Sequence, residues 1–252
     1  MVHERIELKS ADEIARIRAA SLIVHDILRE CVRAVVPGVT TAEIDRLAEA
    51  RTAERGARPA FKGYHGYPAC ICISVNEEVV HGIPSPKRVL REGDIVGLDF
   101  GVVHGGYYGD SAYSVPVGRV NEAAAALLET TRLALGRAIA AATPANRLGD
   151  IGAAVQEFVE GRGFSVVRDF VGHGIGRRLH EPPQVPNVGR AGEGVPLSAG
   201  MVLAIEPMVN AGSAEVSTLD DGWTAVTEDG RLSAHFEHTV AVTENGPEIL
   251  SL

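Results

Sequence analysis

Asp94–Val115 reads DIVGLDFGVVHGGYYGDSAYSV, and how this stretch pairs with itself decides the fold. Two apolar, β-branched runs flank Gly105-Gly106, which predicts two antiparallel strands joined by a tight turn. With the turn taken at His104-Gly105, Asp99 and Asp110 are expected directly across the ladder, on one face, with Cβ atoms about 5 Å apart. Asp99 sits between Leu98 and Phe100, inside an apolar run. Two bare carboxylates there would repel each other and lose hydration, so at least one must be protonated or neutralised. A bound cation removes both costs. A solvent-facing hairpin whose acids only aid solubility is the plainer alternative. It weakens because MVLAIEPMV (201–209) carries Glu206 inside another apolar run, and LSAHFEHTVAV (232–242) carries Glu237 inside a third.

Outward from the hairpin, Ser10 with Glu13 and Thr40 with Glu43 form two capping boxes. Each opens a helical pattern, the first running through Ile17, Ile27 and Leu28 to a stop at Pro37-Gly38, the second through Ile44 and Leu47 to Gly56. After Val120 the plan restarts, with one helix expected from about Asn121 to Ala142 and another from about Leu148 to Gly163. A gap-free shift of 107 residues superimposes Pro37 on Pro144, Ile44 on Ile151, Leu90 on Leu197 and Gly93 on Gly200. The same shift carries Asp99 onto Glu206. Matches at helix ends and strand entries are what two similarly folded halves would keep. A single catalytic domain is expected, with halves at roughly 1–118 and 119–252.

FVGHGIGRRLHEPPQVPN (170–187) holds His173 and His180 among glycines and prolines, a composition that predicts an irregular loop. Its Gly-His-Gly-Ile-Gly run partly mimics a dinucleotide fingerprint, but no long helix follows it, and no phosphate loop is completed. Four carboxylates with His173 make a mostly hard, oxygen-rich donor set with one borderline nitrogen. That set suits paired divalent transition ions better than a structural zinc.

The bulk properties narrow the classes. The chain has 252 residues, 45% of them hydrophobic, enough for one large core or two small ones. No apolar run approaches the roughly 20 residues of a membrane span. The charged opening, MVHERIELKSADEI, is expected not to be a secretory signal. Cys31, Cys70 and Cys72 are too few for a disulfide framework, so a reducing cytoplasm is expected. A net charge of −9 disfavours nucleic acid as a partner.

Together, GYHGYP, VNEEVVHGIP, DIVGLDFGV, GYYGDSA, GHGIGRRLHEPPQVPN, LAIEPM and FEHTVAV resemble the methionine aminopeptidases of type I, over nearly the whole chain and in order. The resemblance implies an α+β "pita-bread" fold, two pseudo-symmetric αβ halves around a curved, mostly antiparallel sheet. It implies removal of the N-terminal (initiator) methionine by water activated at two divalent metal ions, with cobalt, manganese, iron, zinc and nickel left open. Asp99, Asp110, His173, Glu206 and Glu237 match the family's ligands. His81 and His180 match the two histidines beside the substrate, and Glu206 the residue that moves the proton. Tyr64, Tyr67, Cys72 and Trp223 fall at positions like the family's methionine pocket. Phe61 and Leu179 would complete it while departing from common family choices. A small second residue is expected in the substrate. Expected partners are the methionine ends of nascent polypeptides, with a transient ribosome contact through Lys87, Arg88 and Arg91 or Arg177 and Arg178. Neither nucleic acid as substrate nor membrane is expected, and a monomer is.

Proline-specific peptidases are the first rival, but they usually carry an N-terminal domain, and Asp99 arrives too early to leave room for one. Type II enzymes carry a long insertion where only 33 residues separate His173 from Glu206. A non-catalytic module on the same fold would have lost ligands, and all five are present.

Overall fold

The structure, a computed structural model, describes residues 5–252. Met1 to Glu4, the start of the charged opening, lie outside the described residues. Among the described residues no helix is long and apolar enough to cross a membrane.

Among the described residues four α-helices form where the sequence predicts them, two of them at the predicted capping boxes. In α1 (Ala11–Ala34) and α2 (Thr41–Glu54), Glu13 and Glu43 accept from the backbone N–H of Ser10 and Thr40 at 3.0 and 2.8 Å. The Asn121 side chain accepts from Ala124 N–H at 2.8 Å to start α3 (Glu122–Ala141), and α4 spans Leu148–Glu160. The strands of the first half are β1 (Arg58–Pro59), β2 (Cys72–Val75), β3 (Glu78–Val80), β4 (Ile95–His104) and β5 (Tyr107–Pro116). Those of the second are β6 (Ser165–Val166), β7 (Gly172–Gly174), β8 (Glu181–Val185), β9 (Val202–Ile205), β10 (Met208–Asn210), β11 (Val216–Thr218), β12 (Ala225–Thr227), β13 (Ser233–His235), β14 (Glu237–Thr243) and β15 (Gly246–Ile249).

One antiparallel sheet joins the halves in the order β1-β4-β5-β14-β9-β7-β8, with β2 on β4 and β15 on β14. The helices cover one of its faces. Ile27, Leu28, Val96 and Phe100 share an apolar core under α1 and α2, and Leu127, Ile151, Leu203 and Val240 share another under α3 and α4. The 107-residue shift reappears in the hydrogen bonds. The isolated bridges Thr40–Val89 and Arg147–Pro196 are that far apart, as are the helix starts Thr41 and Leu148 and the strand starts Ile95 and Val202.

Three local expectations need correction. First, β4 and β5 pair His104 with Tyr107, so the turn is Gly105-Gly106 and not His104-Gly105. A tight hairpin turn of this kind demands positive φ at both central residues, and the glycines supply it at 58° and 81°. Asp99 therefore faces Ala112, and Asp110 faces Gly101. A two-residue slip preserves the face, so both acids still stand on one side.

Second, the apolar runs around Glu206 and Glu237 are not single strands. Each breaks at its acid: β9 ends one residue before Glu206, and β14 begins at Glu237. The chain changes sheets there, because β10 and β13 pair with each other in a separate three-stranded sheet.

Third, residues 170–187 are not irregular throughout: two short strands frame an irregular segment, 175–180, that carries His180. His173 lies in β7, between β9 and the edge strand β8, which contains Pro182 and Pro183. Prolines are tolerated at an edge. The glycines permit close backbone approach: a Cβ on Gly172 would lie 2.3 Å from Ala204 O, and one on Gly174 2.3 Å from Pro182 O.

Candidate active site

The register of the large sheet assembles the acids. Asp99 on β4 and Glu237 on β14 both face Ala112 on β5, so the three residues form a row across adjacent strands. Continuing the β14–β9 register by one residue brings Glu206 opposite Glu237. Two residues along each strand, a parallel row holds Gly101, Asp110, Thr239, Ala204 and His173 on the same face. Strands lie about 4.8 Å apart, so side chains in these rows meet directly. Small residues alternate with the functional ones and leave a hollow. At Gly101 a Cβ would come within 2.9 Å of Phe61 and 3.2 Å of Asp110 Oδ1.

Backbone clamps hold the floor. Thr239 Oγ1 donates to Asp110 O at 2.8 Å, Ser111 Oγ donates to Glu237 O at 2.7 Å, and Asn187 Nδ2 donates to Glu206 O at 3.0 Å. His173 Nε2 lies 3.6 Å from Glu206 Oε1. Ligand atoms of Asp110, His173 and Glu237 lie within 4.8 Å of one another, as a shared cation would require. Buried polar atoms are normally hydrogen-bonded. Yet Asp99 Oδ1, Asp110 Oδ1 and Glu237 Oε1 have no partner. These orphaned carboxylate oxygens fit divalent ions.

The electrostatics agree. Burial pushes Asp99 up to about 7, with Glu206 adding to it, and Glu206 up to about 8. Asp110 and Glu237 are held well above the carboxylate range, first by burial and then by the neighbouring acids. Burial and the His180 ring lower His173 to about 3, leaving a neutral imidazole able to ligate. Metal binding removes the cost of ionising all four acids together.

One cavity of about 300 Å³ lies on this floor, and every residue singled out from the sequence as ligand, catalyst or pocket lines it. His180, between β7 and β8, packs its ring 4.3 Å from that of His173, and its Nδ1 is 2.7 Å from the Tyr64 hydroxyl. His81 holds a left-handed φ of 61°, stacks edge-on against Phe170, and is lowered to about 4, chiefly by burial. Tyr67 donates to Gly82 O at 2.8 Å and meets Trp223 edge-to-face at 5.1 Å. Phe61, Cys72 and Leu179 close the apolar wall and are nearly fully buried.

Two residues escaped the sequence reading. His65 lines the cavity, with φ 48° between two positive-φ glycines. Its signal was the unusual Gly-Tyr-His-Gly run itself. His235 is buried, with Nε2 3.5 Å from Glu206 Oε2 and otherwise unpartnered. Only the β10–β13 register, which sets His235 opposite Met208, brings it there.

Residues 15–244 match the model of metallopeptidase family M24. The chain is 53% identical to methionine aminopeptidase of Clostridium perfringens, over 98% of this chain and 99% of that one. It is 49% identical to methionine aminopeptidase 1 of Bacillus subtilis, over 96% and 98%. A crystal structure of methionine aminopeptidase from Thermotoga maritima superimposes with a TM-score of 0.97 at 49% identity, covering 98% of this chain and 99% of that one.

Proposed function

The chain belongs to metallopeptidase family M24, and from that premise we propose that it removes the N-terminal, initiator methionine from nascent proteins and peptides. The observation that carries the reading is a floor of four buried carboxylates and His173, with orphaned oxygens, beside an apolar cavity of about 300 Å³. Asp99, Asp110, His173, Glu206 and Glu237 would hold two divalent ions, with cobalt, manganese, iron, zinc and nickel all suited to the donors. When bound, such ions supply the acid strength that activates water for attack on the first peptide bond.

The chain's own groups do the rest. Tyr64 engages His180 Nδ1, which leaves Nε2–H to donate to the scissile carbonyl and to stabilise charge developing on its oxygen. His81, which lines the cavity beside Phe170 and Trp223, orients the substrate. Glu206 takes a proton from water and delivers it to the leaving amine, as general base and then general acid. The methionine thioether fits the wall of Phe61, Tyr67, Cys72, Leu179 and Trp223, since sulfur packs well against aromatic edges. The two halves, about 1–118 and 119–252, act as one catalytic domain, a monomer in the cytoplasm. Lys87, Arg88 and Arg91, or Arg177 and Arg178, would provide a transient contact with the ribosome.

The test is release of free methionine from Met-Gly, Met-Ala and Met-Lys peptides by chelated protein reloaded with manganese, cobalt or iron. Turnover of Met-Gly and Met-Ala far above Met-Lys is expected. No release with any metal, or equal rates on all three peptides, would sink the reading.

A further inference from the structure

The segment preceding α1 reaches across the molecule to the residue after His180. Lys9 Nζ lies 2.6 Å from Glu181 Oε2, with the side chains only 3% and 6% exposed. Glu181 uses its second oxygen to accept from Arg178 N–H at 3.0 Å. That bond closes a turn whose middle residues are Leu179 of the pocket wall and His180. The other end of the turn is pinned where Tyr108 N–H donates to Gly176 O at 2.8 Å. Lys9 is fixed in its own right, because its N–H donates to Gly200 O at 2.7 Å. Gly176 makes room for the pair: a Cβ there would meet Lys9 Cε at 2.6 Å and Glu181 Oε1 at 3.0 Å. The exposed Glu7 carboxylate is a second partner of Lys9, at 3.2 Å.

A buried ion pair is a poor source of net stability, because desolvating both charges offsets their attraction and apolar isosteres often do as well. What this one secures is the position of a turn. His180 is otherwise held by the Tyr64 hydroxyl and by edge contact with His173, and a shift of about 1 Å would break the first of these. We propose that Lys9 and Glu181 are positioning residues: the pair fixes residues 176–181 so that His180 reaches both Tyr64 and the substrate. The catalytic part rests on the function proposed above, whereas the placement of His180 does not.

The experiment compares the full chain with Lys9→Met, Glu181→Leu and the double variant, each reloaded with manganese. Lys9→Met should lower kcat on a Met-Ala peptide about tenfold or more, with KM and manganese affinity by calorimetry within about threefold. It should also melt earlier, since it strands a buried carboxylate. The double variant strands no buried charge and frees only the Arg178 N–H, so it should melt closer to the parent than Lys9→Met does while kcat stays low. In the metal-free proteins, the ¹⁵N resonances of the His180 ring should move away from their Tyr64-bonded positions in both variants. Recovery of kcat together with melting temperature in the double variant, or unmoved His180 resonances, would overturn the proposal. If Lys9→Met does not fold, the double variant decides. If the parent releases no methionine, the proposed reaction falls, and the His180 resonances still decide the positioning.

Discussion

At the scale of single residues, the site is a set of groups held in states they would avoid in water. Burial and the Glu206 carboxylate raise Asp99 to about 7, so at pH 8 the metal-free protein carries a buried charge there, with one oxygen unpartnered. Asp99→Asn removes that charge together with a proposed metal ligand. We expect it to stabilise the metal-free protein at pH 8 by on the order of 1 kcal/mol in urea unfolding, while metal affinity and turnover both collapse. Full turnover by the metal-depleted Asp99→Asn variant would contradict the ligand assignment. Tyr64→Phe isolates a different contact, the 2.7 Å bond to His180 Nδ1. Loss of one orienting hydrogen bond should lower kcat by about tenfold and leave KM nearly unchanged in steady-state assays.

At the scale of elements, glycines decide which strands can meet. Gly174 in β7 lies against β8 with no room for a side chain, since a Cβ would sit 2.3 Å from Pro182 O. Gly174→Ala should force β7 from β8, lower the melting temperature by several degrees and weaken metal binding through His173. The reverse is expected in α3, where Gly136 is exposed and a Cβ would meet nothing within 4 Å. Gly136→Ala should raise stability by about 0.5–1 kcal/mol in denaturant unfolding, with activity unchanged. At this scale the helices were legible because their signals are local: Ser10 with Glu13 and Thr40 with Glu43 cap the helices they announced. The strands β7 and β8 were not, because their Gly and Pro content reads as loop until the neighbouring backbone is known.

At the scale of the molecule, the shared floor links proton binding to folding. Asp99 at about 7 and Glu206 at about 8, with Asp110 and Glu237 also raised, keep protons in the folded metal-free protein that the unfolded chain has already lost by pH 7. The native state then binds more protons than the unfolded one, so stability falls as pH rises through 7 to 8. The buried histidines, lowered in the fold, are neutral in both states across that window and do not oppose the trend. Below about pH 6.5 they do, because the unfolded chain takes up protons that the folded rings cannot. Thermal melts of chelated protein should therefore fall steadily from pH 7 to 8, and metal loading should flatten the curve. A flat curve without metal would mean that the acids are not buried together.

The sequence by itself determined the helix caps and the turn glycines, and it pointed to two similar halves and to a set of candidate site residues. Caps, turn glycines and lone acids in apolar runs each act within a few positions, and the 107-residue shift needs only a comparison of the chain with itself. Tertiary structure alone decided the register that brings Asp99, Glu237 and Glu206 into one row, and the breaks that turn Glu206 and Glu237 inward. It also decided the arrival of His235 and the reach of Lys9 to Glu181 across 172 residues. The reason is that strand register and close backbone approach depend on which surfaces meet. A pattern of side chains limits those meetings without specifying them.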